Sequence, residues 1–119
     1  MKYQNLQLSK NFWLDEFILS DFYSPRIQER VIEAYLEAPD LHSNLHRLVD
    51  NLQVLRDYLG CAVSVNIGYR PLFWEKKQGR SGNSRHTKMM AADIVADDYT
   101  PEQVADAIEQ LIEDGKMSE

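Results

Sequence analysis

Cysteine is almost missing from this chain: Cys61 is the single one in 119 residues. That excludes an internal disulfide framework and any cysteine-built zinc cage. Histidine is scarce too, with His42, His46 and His86 the whole set and none after Asp93. No apolar run approaches the roughly 20 residues that span a bilayer. The opening MKYQNLQLSKNFW lacks the apolar stretch of a secretory leader. Repeats, low-complexity tracts and linker-like stretches are absent as well, so nothing divides the chain. What is present is 44% hydrophobic and 27% charged, the profile of a globular domain. Residues 1–119 are therefore expected to form one domain, made in the cytoplasm, whose chemistry rests on His, Asp, Glu or Arg.

The net charge of −6 is unevenly spread. From Asp97 to the end, eight acidic residues face Lys116 alone, which reads as a solvated helix face. Between Gly68 and Lys88, Arg70, Lys76, Lys77, Arg80, Arg85 and Lys88 face only Glu75. Tyr69, Phe73, Trp74, Gly79 and Gly82 are interleaved with them. Positive charge and glycines on a loop suit an anionic ligand, and a solvated surface loop has the same composition.

Ser9 and Asn11 are placed to cap a short helix near Phe12–Leu19. Ser24-Pro25 reads as an N-cap with proline in the first turn, and Pro39 ends that helix. Asp40 is expected to cap a long helix whose stripe runs through Leu41, Leu45, Leu48, Val49, Leu52, Leu55 and Leu59 to Gly60. The period then becomes two: Val63, Val65 and Ile67 alternate with Ala62, Ser64 and Asn66 as in a half-buried strand. Gly68 to Arg85 reads as a loop, Met89–Ala96 as a second strand, and Thr100-Pro101 as the start of a last helix closed by Gly115. This gives four helices and two strands, and so small a sheet must lie against the helices or pair with further strands.

In a strand from Met89, Asp93 lies among apolar neighbours, where a carboxylate must be paired or bound to a metal. His86 is close enough in sequence to fold back toward it, and imidazole with carboxylate suits zinc. Spacing alone equally allows a salt bridge from Asp93 to Arg70 or Arg85, with His86 at the surface.

The run Ser84-x-His86-x(4)-Ala91-x-Asp93, preceded by Gly68-Tyr69-Arg70, resembles the zinc D-Ala-D-Ala carboxypeptidases of peptidase family M15, and most of all their compact phage and bacterial branch. Asn11-Phe12 through Glu16-Phe17 resembles the family's N-terminal segment, and Asn51 to Gly60 its long helix. The resemblance implies an α+β fold of the Hedgehog/DD-peptidase type, helices packed on a small antiparallel sheet, with zinc held by His86, Asp93 and a further histidine. It implies that Arg70 stabilises the substrate carbonyl or grips its carboxylate, with Tyr69 and Ser84 at the substrate. It also implies cleavage of the peptidoglycan stem peptide beside a D-amino acid.

Two features depart from that pattern. The family's third ligand and its catalytic carboxylate lie in a strand after the last helix, and this sequence stops at Glu119. Met89 also stands where the family usually has glycine. A fragment of a longer peptidase, a catalytically silent peptide-binding relative, and a ligand from elsewhere are the alternatives. Within the chain, His42 and His46 with Asp50 share a helix face and could supply it, although such a face is ordinarily solvated. A chain lacking that strand exposes a sheet edge, so pairing into a homodimer is expected. Neither a membrane nor a nucleic acid is the expected partner. Single-strand binding by Phe73, Trp74, Lys76, Lys77 and Arg80 is opposed by the nearby acidic segment. Synthesis without a leader and a substrate outside the membrane are reconciled by a phage or prophage lysis enzyme released by a permeabilising partner.

Overall fold

The structure, a computed structural model, describes residues 3–80 and 85–118. The elements in chain order are α1 (Asp15–Ile18), α2 (Pro25–Leu36), α3 (Pro39–Leu59), β1 (Val63–Ile67), α4 (Leu72–Lys77), β2 (Asp93–Ala96) and α5 (Pro101–Glu113). The class is α+β: helices packed on one antiparallel pair, β1 against β2. Among the described residues, no helix is long and apolar enough to cross a membrane.

The 21-residue α3 is the spine, because its Leu45, Val49, Leu52, Leu55 and Leu59 recur on one face and are all buried. The same buried cluster holds Phe12, Leu14, Phe17 and Ile18 from the N-terminal segment and α1, Val31 and Tyr35 from α2, and Val104, Ala107 and Leu111 from α5. Each large apolar side chain so buried contributes about 1.5–3 kcal/mol. Two helix starts lie where their sequence signals put them. The Ser24 hydroxyl accepts from the Ile27 N–H, and Thr100 with Gln103 forms a reciprocal capping box.

Other boundaries move, each for a local reason. Pro39 ends one helix and opens the next: it occupies the first turn of α3, behind Ala38, so Asp40 lies inside the helix and is not its cap. Ser9 and Asn11 do not cap α1. The Ser9 hydroxyl and the Asn11 N–H both donate to Gln53 Oε1, and Gln53 Nε2 donates to Asn11 Oδ1. These residues dock the N-terminal segment on α3, leaving α1 a single turn. The stretch expected as loop contains α4, and Cys61, expected to be buried, is half-buried.

The second strand is half its expected length. Met89 has φ +58°, a left-handed conformation that ends any strand, and the Met89 and Met90 N–H groups return to the carbonyls of His86 and Arg85. Residues 85–90 are thus a tight turn, and β2 begins at Asp93. The pairing Val63↔Ala96, Ser64↔Val95 and Val65↔Ile94 slips at Asn66, so that Ile67 meets Asp93. A bulge of this kind bends the strand and re-aims the residues beyond it. Here it sets the first residue of β2 beside the Gly68-Tyr69-Arg70 turn.

Candidate active site

The end of β1 is pinned by a close backbone approach. The Tyr69 N–H donates to the Phe17 carbonyl at 2.8 Å. A Cβ built on Gly68 would lie 2.6 Å from that carbonyl oxygen and 2.7 Å from Phe17 Cα. Only glycine passes here, and the buried α1 fixes where the turn leaves the sheet.

The turn in turn holds His86. Its Nδ1 lies 2.9 Å from the Gly68 carbonyl, and the Arg70 N–H donates to the His86 carbonyl at 3.2 Å. A carbonyl only accepts, so Nδ1 carries hydrogen, and in the neutral ring the lone pair belongs to Nε2. Nε2 faces Asp93 Oδ1 at 3.7 Å, with the imidazole largely buried and the carboxylate 58% exposed. Asp93 is therefore not interior, as expected from a longer strand, but stands at the strand's first position. Among the described residues Asp93 faces His86, and no salt bridge joins it to Arg70 or Arg85.

Two metal bonds of about 2.0–2.2 Å meeting near the tetrahedral angle separate their donor atoms by about 3.4 Å. The His86–Asp93 spacing is close to that. A ring nitrogen tied to a backbone carbonyl is also how metal-binding imidazoles are usually oriented. The two side chains fit zinc as a pair. Among the described residues no third His, Cys, Asp or Glu completes a cluster. His42 lies with its ring against Tyr35 and Nε2 at 3.1 Å from the Tyr35 carbonyl, while His46 and Asp50 are exposed. Ser84 lies outside the described residues.

Arg70 joins this pair to a cleft of about 270 Å3 lined by Phe22, Tyr23, Tyr69, Arg70, Trp74 and Arg80, among others. Tyr69 is mostly buried there. Burial, and then the neighbouring Tyr23, push its phenol up to about 12. The Tyr23 hydroxyl reaches the Tyr69 carbonyl at 3.4 Å, and its ring meets Trp74 edge-on at 5.1 Å. Burial also raises the Tyr23 phenol; Glu75 adds to the rise and the two arginines oppose it.

Sequence reasoning passed over Glu75. It is fully buried, with Oε1 at 3.3 Å from Arg70 Nε and Oε2 accepting from Arg80 Nε at 2.5 Å. One carboxylate thus anchors two guanidinium groups, one on each oxygen. The available signal was a lone acid in a basic stretch, five residues from each arginine. That spacing acquires meaning only once α4 is seen to turn there.

The structure brings His86 and Asp93 together, with the Arg70 backbone N–H on the His86 carbonyl. No curated protein and no solved structure matches the chain. A sequence profile of peptidases does, described as Peptidase M15 and covering residues 22–116. With most of its length so matched, the chain belongs to the peptidase M15 family.

Proposed function

We propose that this domain is the zinc-binding, substrate-facing part of a peptidase acting on bacterial cell-wall peptides. The observation that carries the reading is His86, tied through Nδ1 to Gly68 with Nε2 directed at Asp93. Zinc bound by such a pair supplies a polarising positive charge and makes water a better nucleophile. The chain's own residues orient the pair and face the substrate. The Gly68 carbonyl fixes the imidazole's tautomer and orientation, so that no side-chain search precedes metal binding. The exposure of Asp93 keeps the pair accessible from outside. Arg70, backed by Glu75, brings a guanidinium between the pair and the cleft, where it can hold a peptide carbonyl or carboxylate through charge-assisted hydrogen bonds. Family membership supports the peptidase class, and the aromatic, cationic cleft supports a short peptide with an anionic group.

The test is zinc content of the purified chain by elemental analysis, beside His86→Ala and Asp93→Ala. Near-equimolar zinc in the parent chain, lost in both variants, supports the reading, and hydrolysis of a purified stem peptide then completes it. Zinc no higher in the parent than in the variants sinks it. Stem-peptide binding without zinc or turnover would instead identify a silent peptide-binding relative.

A further inference from the structure

Arg85 belongs to the basic stretch of the sequence but does not line the cleft that holds Arg70 and Arg80. It lines a separate cavity of about 80 Å3, together with Asn44, Arg47 and Asn51 of α3 and with Ser118. Asn44, Arg47 and Asn51 recur at spacings of three and four residues, so they share one face of the helix. Both carboxamides on that face are engaged. Asn44 Nδ2 donates to the Lys88 carbonyl at 2.9 Å, which fastens the turn of residues 85–90 to α3. Asn51 Nδ2 donates to the Ser118 carbonyl at 3.1 Å and Asn51 Oδ1 accepts from the Ser118 N–H at 3.2 Å, which fastens the segment after α5. Arg85 is itself fixed at the backbone, its carbonyl accepting from the Lys88 and Met90 N–H groups at 3.1 and 2.8 Å.

Among the described residues, no ion pair joins Arg47 or Arg85 to a carboxylate, although the chain has 19 acidic residues against 13 lysines and arginines. Two like charges at one cavity repel each other, and an anion between them replaces that repulsion with two attractions. The cavity is smaller than the roughly 300 Å3 at which small-molecule pockets begin, so it takes a compact group and not a peptide or a nucleobase. A carboxylate is planar, and one guanidinium fork matches it. A phosphate monoester has three terminal oxygens and a charge of about −1.5 to −2 at pH 7, enough for two forks.

We infer that Arg47 and Arg85 form a phosphoryl-binding site, in which the anion bridges α3 to the turn that carries His86. Both side chains are exposed, so the cavity opens to solvent and the rest of a phosphate ester stays in water. The site is separate from the cleft of Arg70 and Arg80. It needs neither zinc nor hydrolysis, and so does not rest on the peptidase reading.

The test titrates the full chain, in the presence of a chelator and at constant ionic strength, with inorganic phosphate and with acetate, and reads backbone amide shifts by NMR. Phosphate is expected to saturate with a Kd of about 1 mM and to move the amides of residues 44–51 and 85–90. Acetate should bind at least about tenfold more weakly. Arg47→Gln and Arg85→Gln, both at exposed positions, should each raise the phosphate Kd about tenfold, with circular dichroism checking that each variant is folded. Glycerol 2-phosphate and dimethyl phosphate then separate two sources of the same chemistry. Tighter binding of the first assigns the site to terminal phosphoryl groups, and equal or tighter binding of the second assigns it to phosphodiesters. No saturable phosphate binding, acetate binding as tight as phosphate, shifts confined to the cleft, or an affinity unchanged in either variant overturns the inference. None of these results touches zinc uptake at His86 and Asp93, so this site and the peptidase reading stand or fall separately.

Discussion

Replacing Gly68 with alanine perturbs the backbone contact that pins the end of β1 against α1. The added Cβ would sit 2.6 Å from the Phe17 carbonyl oxygen and 2.7 Å from Phe17 Cα, both backbone atoms. Neither can swing away as a side-chain tip would, and Phe17 itself is 1% exposed within the core. Relief requires β1 and α1 to separate. Overpacking of this kind costs about 1–3 kcal/mol, and weakening the Tyr69 N–H to Phe17 carbonyl bond adds about 1 kcal/mol. The expected loss is about 2–4 kcal/mol, a large part of the roughly 5–15 kcal/mol that holds a domain of this size together. Gly60→Ala is the control. Gly60 also needs a side-chain-free residue, at φ +68°, but its Cβ would meet nothing within 4 Å. It should cost only about 1–2 kcal/mol of left-handed strain. Urea unfolding at constant slope reads both: with a slope of about 2 kcal/mol per molar, Gly68→Ala should lower the midpoint by about 1–2 M. Because the Gly68 carbonyl holds His86 Nδ1, any zinc bound should weaken in the same variant and stay unchanged in Gly60→Ala. A Gly68→Ala midpoint equal to that of Gly60→Ala would refute the close-approach reasoning.

Two further expectations concern stability near the site. Met89 is fully buried yet held at φ +58°, so Met89→Gly trades about 1–2 kcal/mol of strain relief against about 2–3 kcal/mol of lost burial, whereas Met89→Ala loses the burial and keeps the strain. Alanine should therefore be the more destabilising of the two by thermal melting, the reverse of the usual order, and the opposite ranking would show that residue 89 is not strained. The Tyr69 phenol titrates near 12 in the fold against 10.0 when unperturbed, so the folded state resists ionisation more than the unfolded state does. Its contribution is complete below pH 10 and declines as the pH rises through 10 toward 12. Tyr69→Phe should flatten that alkaline loss in unfolding midpoints measured from pH 8 to 12, and an unchanged slope would remove Tyr69 as its cause.

Much of the frame was legible because its signals are local. The α3 stripe, the Ser24-Pro25 start, the Thr100 cap and the change of period after Gly60 depend on neighbours a few residues apart, and each element stands where those signals put it. His86 and Asp93 were singled out by the resemblance, because their spacing alone left a salt bridge to Arg70 or Arg85 open. The errors share a different cause. Ser9 and Asn11 have the composition of caps, but Gln53, more than forty residues away, claims their hydrogen bonds. The Met89–Ala96 run has the composition of a strand, but Met89 is buried in the core with its backbone left-handed, in a turn closed onto His86 and Arg85.

By itself, then, the sequence determined the long helix, two further helix starts and the change to a strand period, since apolar periodicity and caps are short-range properties, while the class followed from the resemblance. The tertiary structure alone decided the working geometry. It brought Phe17 against Gly68 so that one carbonyl could orient His86, placed Asp93 at a strand's first position instead of its middle, and made Glu75 the shared anchor of two arginines. These are contacts between distant segments at angstrom precision, set by how a whole core closes, and no local pattern encodes that closure.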